Sequence, residues 1–333
     1  MFELTLRLLR ALRQVTLRCG VSGIALIAGT IASPAAAQQK LHYSYLWHME
    51  QPIYWPDQQV SGTDRYERAW ESILRRDAGA VHPTNNLRDI FGLPDRVAGY
   101  QYRMRDSINA LRWTAEGGAQ ISYSGGLIEN VQSLADANQL GYSAGWYNPL
   151  REARNWTTSG SSAKPRADIV VFPFHHALLP LVDENTVRKE IQLYKNIYPD
   201  AWGTVPSVSR GLFPSEMAFS TRLIKVLAEE GIAWSIVSAE KLSRACADFP
   251  VTFGSGGINT DPPNKADQVN PAQGVANYYR QSISRGCSPA EAYPFALTPR
   301  RARYIDPATG NASSIIVVPS SQSLSWRDGY API

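Results

Sequence analysis

Short apolar or aromatic stretches alternate with helical ones along most of this chain, and that alternation constrains its fold more than any other feature. Leu41–Met49 (LHYSYLWHM), Ala119–Ser124 (AQISYS), Ala167–Phe172 (ADIVVF), Gly211–Phe213, Ile232–Val237 (IAWSIV) and Ser314–Val318 read as strands. Between them, Tyr66–Arg76, Arg96–Glu116, Leu127–Leu140, Asp183–Tyr198 and Met217–Glu230 read as helices. In Arg96–Glu116 the apolar positions Val97, Tyr100, Met104, Ile108, Leu111 and Ala115 recur close to helical spacing. Ala167–Phe172 is a short, mostly apolar run, which suits a strand covered on both sides. Strands separated by helices predict an α/β protein with a parallel sheet. The sheet closes into a barrel or stays open and doubly wound, and the length of the chain favours the barrel. In either form the chemistry belongs at the carboxyl ends of the strands.

The amino terminus reads as an address. Arg7, Arg10, Arg13 and Arg18 face a single acid, Glu3; an uncharged run from Cys19 to about Ala32 follows, and then Ser33-Pro34-Ala35-Ala36-Ala37. A basic segment, a short apolar segment and an A-x-A end predict a secretory signal over 1–37, cleaved after Ala37. The apolar run falls short of the ~20 residues that span a bilayer. The expectation is therefore a periplasmic or secreted protein, free of the membrane after cleavage, with one catalytic domain over 38–333. Without the leader the formal charge falls from +4 to +1, so the sequence pI of 8.9 is mostly a leader effect. No basic stripe remains to bind nucleic acid, and that class of partner is excluded. Cys246 and Cys287, 41 residues apart around a Gly- and Pro-rich stretch, are a disulfide candidate in an oxidising compartment. Neither has metal-site spacing, and no cofactor or metal is expected.

Polar residues capable of chemistry cluster just after the strands. His48 and Glu50 follow the first, Ser124 and Glu129 the second, His175 and His176 the third, and Glu216 the fourth. In a parallel barrel these tips converge on one mouth. Each also has a plainer reading: a hydrogen-bonded core histidine for His48, a solvated helix residue for Glu129, a helix cap for Glu216. Adjacent strand residues point to opposite faces, so at most one of His175 and His176 faces the mouth.

Trp47–Tyr54 (WHMEQPIY), Ile121–Val131 (ISYSGGLIENV), Phe174–Leu181 (FHHALLPL) and Arg210–Ser220 (RGLFPSEMAFS) together resemble the ordered motifs of glycoside hydrolase family 57. The chain departs from that pattern in having Glu50 where the family usually has a second histidine, and Ala177 where it usually has proline. The resemblance implies a (β/α)7-type barrel and hydrolysis of an α-glucan by a retaining two-carboxylate mechanism. It also implies Glu216 as nucleophile, with His48, Glu50 and His176 against a carbohydrate substrate; Trp47 and Tyr54 are candidates to stack on sugar faces or to serve the core. The family's general acid comes from beyond the late strand. Here Pro319–Ile333 offers only Asp328, so the acid is unassigned and the expected barrel is incomplete at its carboxyl end, as a truncated member would be. Two alternatives remain open: a metal-dependent deacetylase-like hydrolase and a non-catalytic carbohydrate-binding barrel.

Overall fold

The computed structural model describes residues 42–56, 59–79, 86–160, 163–239, 242, 297–321 and 325. The leader, Cys246, Cys287, Asp328 and Trp326–Ile333 lie outside the described residues. All elements below belong to the unit Ser44–Ile333.

Seven strands are described: β1 Leu46–Met49, β2 Ala119–Tyr123, β3 Ala167–Val170, β4 Gly211–Leu212, β5 Trp234–Ser238, β6 Arg300–Ile305 and β7 Ala312–Ser320. The helices are α1 Ala69–Asp77, α2 Leu87–Gly92, α3 Pro94–Ala98, α4 Met104–Ala110, α5 Gly125–Asp136, α6 Asn148–Arg154, α7 Glu184–Trp202 and α8 Leu223–Glu229. β1, β2 and β3 run parallel in chain order, His48 opposite Ser122 and Ser122 opposite Val170. A parallel bridge between Val171 and Leu212 carries the array to β4, which continues through β5 to β7, again parallel. This is the α/β fold of the barrel type, wound strand by strand from β1 to β5 with helices in those crossovers. β6 departs from the repeat: it pairs antiparallel with β7 at the sheet edge.

Aromatic residues fill much of the space behind the sheet. Tyr123 lies 5.0 Å, ring to ring, from Trp202, and Trp146 lies 5.4 Å from Trp202. All three are buried, so part of the aromatic content serves the core. α7 explains itself locally. Asp183 caps it by accepting from the amides of Asn185 and Thr186, and Val187, Ile191, Tyr194 and Tyr198 bury one stripe. It outruns the expected end at Tyr198 and passes through Pro199 to Trp202. Arg151 and Arg154 of α6 donate to the terminal carbonyls of Ala201 and Trp202, which supplies partners for groups a helix end leaves free.

Two expected helices are shorter than their patterns. Arg96–Glu116 is α3 and α4 joined by a π turn at Gly99–Arg103, where the Tyr123 hydroxyl donates to the Tyr100 carbonyl at 2.6 Å. Met217–Glu230 is helical only over α8. Glu216 and Met217 hold φ of 55° and 50°, which no right-handed helix accommodates, and the chain turns before α8 begins. Among the described residues no helix is long and apolar enough to cross a membrane.

Candidate active site

The carboxyl ends of β1, β3 and β4 bring His48, His176 and Glu216 together. One donor atom from each lies within 4.8 Å of the others, and His176 Nε2 is 3.3 Å from Glu216 Oε1. Their strands explain the convergence. His48 shares its pleat position with Ser122 on the adjacent strand, and its Nδ1 lies 2.8 Å from the Ser122 Oγ. Phe172 and Phe213, just past β3 and β4, hold the ring of His48 at centroid distances of 5.0 and 5.2 Å. His48 is therefore open to solvent on the mouth side and crowded by rings behind. That crowding, and secondarily the charge of His176, lowers its pKa to about 4.

Backbone strain marks the same place. His176 has φ of 60° and Glu216 φ of 55°, left-handed conformations that cost a side-chain-bearing residue about 1–3 kcal/mol. The turn at Ser215–Met217 lifts the Glu216 side chain off the sheet, so it is 69% exposed while its tip reaches His176. His175 goes elsewhere. Its backbone amide and Nδ1 both meet the buried Glu190 carboxylate of α7, at 2.8 and 2.7 Å, and its Nε2 lies 3.2 Å from the Tyr66 hydroxyl. The two imidazoles do diverge, but through a tight turn rather than strand alternation.

Glu50 stands beside this group. One oxygen, Oε2, is buried with no hydrogen-bond partner. Burial raises its pKa to about 7; a hydrogen bond from Ser124 opposes the shift and the Glu216 charge adds to it. Ser124 also caps α5, accepting from the Leu127 amide at 3.1 Å. Gly125 lets that helix start close in, since a Cβ there would lie 2.1 Å from the Phe174 ring.

Other residues singled out in the sequence make contacts outside the trio. Trp47 alternates with His48 along β1 and packs against the core. Tyr54 is half-buried and donates to Gln51 Oε1 at 2.7 Å. Glu129 is not solvated: its side chain is 17% exposed and paired with Arg68 at 2.9 Å. Trp55 helps bound a cavity of about 240 Å³ with Ile73, Arg76, Asn86 and Leu87, and none of the mouth residues lines it. Sequence reasoning missed Ser122, Phe172 and Phe213 as the groups that seat His48. Their signal was positional, since each lies at or just beyond a strand's carboxyl end.

The family model for glycosyl hydrolase family 57 matches residues 46–246, which carry β1 through β5 and every residue of the trio. The chain belongs to glycosyl hydrolase family 57. An alpha-amylase from Niallia circulans is 34% identical over 218 residues, covering 63% of this chain and 17% of that protein. The chain thus spans less than a fifth of the length of this curated relative. Among solved structures, the 4-alpha-glucanotransferase from Thermococcus litoralis aligns with 87% of the chain and 29% of its own, at 14% identity and a TM-score of 0.46. A family 57 branching enzyme from Thermococcus kodakaraensis, solved with glucose, aligns with 87% and 49%, at 13% identity and a TM-score of 0.44.

Proposed function

We propose that this family 57 chain is an exported glycoside hydrolase acting on an α-glucan by the retaining route, with Glu216 as nucleophile. The observation that carries the reading is the Glu216 carboxylate held 3.3 Å from His176 in a strained turn at the strand tips, with His48 beside both. The name of the 34% identical relative, an alpha-amylase, supports the substrate class.

In this reading a sugar enters over His48 and His176, whose ring nitrogens bind its hydroxyls. Glu216 attacks the anomeric carbon as the bond to the leaving oxygen breaks, and its negative charge stabilises the oxocarbenium-like transition state. Protonation of the leaving oxygen and activation of the incoming water belong to a second carboxyl group of the retaining pair. Glu50, at the same mouth, binds substrate hydroxyls. The neutral state of His48 near pH 7 suits it to accept or donate a hydrogen bond without adding a charge that would oppose the cationic transition state.

Release of reducing ends from soluble starch tests this directly. Glu216→Ala should abolish it while leaving the circular dichroism spectrum intact, because the side chain is mostly solvent-facing. Cleavage that survives the substitution refutes the assignment.

A further inference from the structure

We propose that His48, His176 and Glu216 also form a binding site for a borderline-soft divalent cation, zinc above all, and that its occupancy withdraws Glu216 from attack. The second half rests on the glucan reading above; the first does not. Three donors come from three different strand ends and already lie within 4.8 Å of one another. Two ligands on one tetrahedral zinc, each at about 2.0–2.1 Å, stand roughly 3.3–3.4 Å apart. His176 Nε2 and Glu216 Oε1 are 3.3 Å apart. That pair therefore meets the spacing with no rearrangement.

The other imidazole is prepared in the way metal-binding histidines usually are. Ligating rings commonly donate their second N–H to an oxygen, which fixes both ring and tautomer. His48 has its Nδ1 2.8 Å from Ser122 Oγ. With Nδ1–H turned to that hydroxyl, Nε2 keeps its lone pair for the mouth. Ser122 is fully buried, and Phe172 and Phe213 confine the ring, so the orientation is set by the scaffold. Glu216 supplies the adaptable third ligand: an exposed side chain turns onto an ion at small cost.

Two imidazoles and a carboxylate favour zinc, copper or nickel over calcium and magnesium, which take oxygen ligands. Three protein ligands leave the fourth position open to solvent or to a sugar hydroxyl. An ion at this position takes the two ring nitrogens that would bind the sugar and draws charge from the Glu216 carboxylate, so zinc and glucan compete.

The test uses the full chain stripped with EDTA. Zinc chloride is titrated calorimetrically, and cobalt(II) chloride is followed by its visible absorption. The expected result is one ion per chain, with the intense visible band of tetrahedral cobalt. His48→Ala, His176→Ala and Glu216→Ala should each weaken binding at least about tenfold, and Ser122→Ala about tenfold through the lost second partner. His175→Ala, whose ring faces Glu190, should leave it unchanged. No saturable binding, or binding indifferent to both His176→Ala and Glu216→Ala, overturns the site; Glu216→Ala keeps the test sound because it removes an exposed group. Starch cleavage in EDTA separates the two claims. Cleavage that needs Glu216 but ignores added zinc overturns the inhibitory cation and leaves the glucan reading standing. Tight zinc binding in a chain without cleavage under any condition supports the ion site and counts against the glucan reading.

Discussion

Glu50→Gln should make the protein more stable in mild alkali and leave it nearly unchanged in mild acid. Glu50 carries a buried, unpartnered Oε2 and a pKa raised from 4.5 to about 7, chiefly by burial. The folded state thus holds a proton that the unfolded chain releases between these two values. Linkage fixes the sign: where the native state binds more protons, stability falls as pH rises. The loss begins near the unfolded pKa and is complete once pH exceeds about 7. A shift of this size corresponds to about 3 kcal/mol, from 1.36 kcal/mol for each pKa unit. Glutamine keeps the shape and can direct its oxygen to Ser124, and it has no charge to bury. The variant should then match wild type near pH 5 and exceed it by about 2–3 kcal/mol near pH 8. Urea unfolding at several pH values, in EDTA, measures the difference between the two proteins. Other titrating groups, His175 among them, occur in both and cancel. A difference that stays constant from pH 5 to pH 8 would refute the reasoning, for it would mean the Glu50 carboxyl is as well solvated folded as unfolded.

Three smaller perturbations probe the scaffold around the mouth. Ser122→Ala removes the partner of His48 Nδ1, and starch cleavage should fall roughly tenfold, the equivalent of about 1 to 1.5 kcal/mol for one hydrogen bond, with little change in the unfolding midpoint. Gly125→Ala drives a methyl into the Phe174 ring and should cost about 1–3 kcal/mol in urea unfolding; a neutral result would mean α5 shifts freely. Glu190→Gln removes the carboxylate that chiefly raises the His175 pKa, so that pKa should drop in an NMR titration. In wild type the His175–Glu190 pair stabilises the fold fully at acid pH and loses that contribution as pH rises through the raised His175 value.

The parts of this molecule legible from sequence are those that local pattern decides, and the mouth shows where local pattern stops. β2, β3 and β5 are short apolar runs between helices, and their parallel winding follows from crossover connections. Parallel winding in turn puts the carboxyl ends of β1 through β5 at one side, so strand order alone groups His48, His176 and Glu216. β6 was invisible because Arg300–Ile305 is charge-rich and mostly exposed, an edge strand held by its hairpin with β7 rather than by apolar burial. The segment after β4 misled for a different reason. Phe213-Pro214-Ser215-Glu216 followed by apolar residues carries the composition of a helix start. Yet Glu216 and Met217 adopt left-handed φ, and Arg222 is drawn to the carbonyls of Leu179, Pro180 and Val182. Those partners lie some forty residues away, so no window of sequence contains the reason. The same long-range packing shapes the candidate site: a helix beginning at Met217 would hold Glu216 against its own first turn as a cap. A left-handed turn instead carries the carboxylate across to His176. The misread element and the chemically capable one are a single event, because strain tolerated against local preference is what aims this side chain.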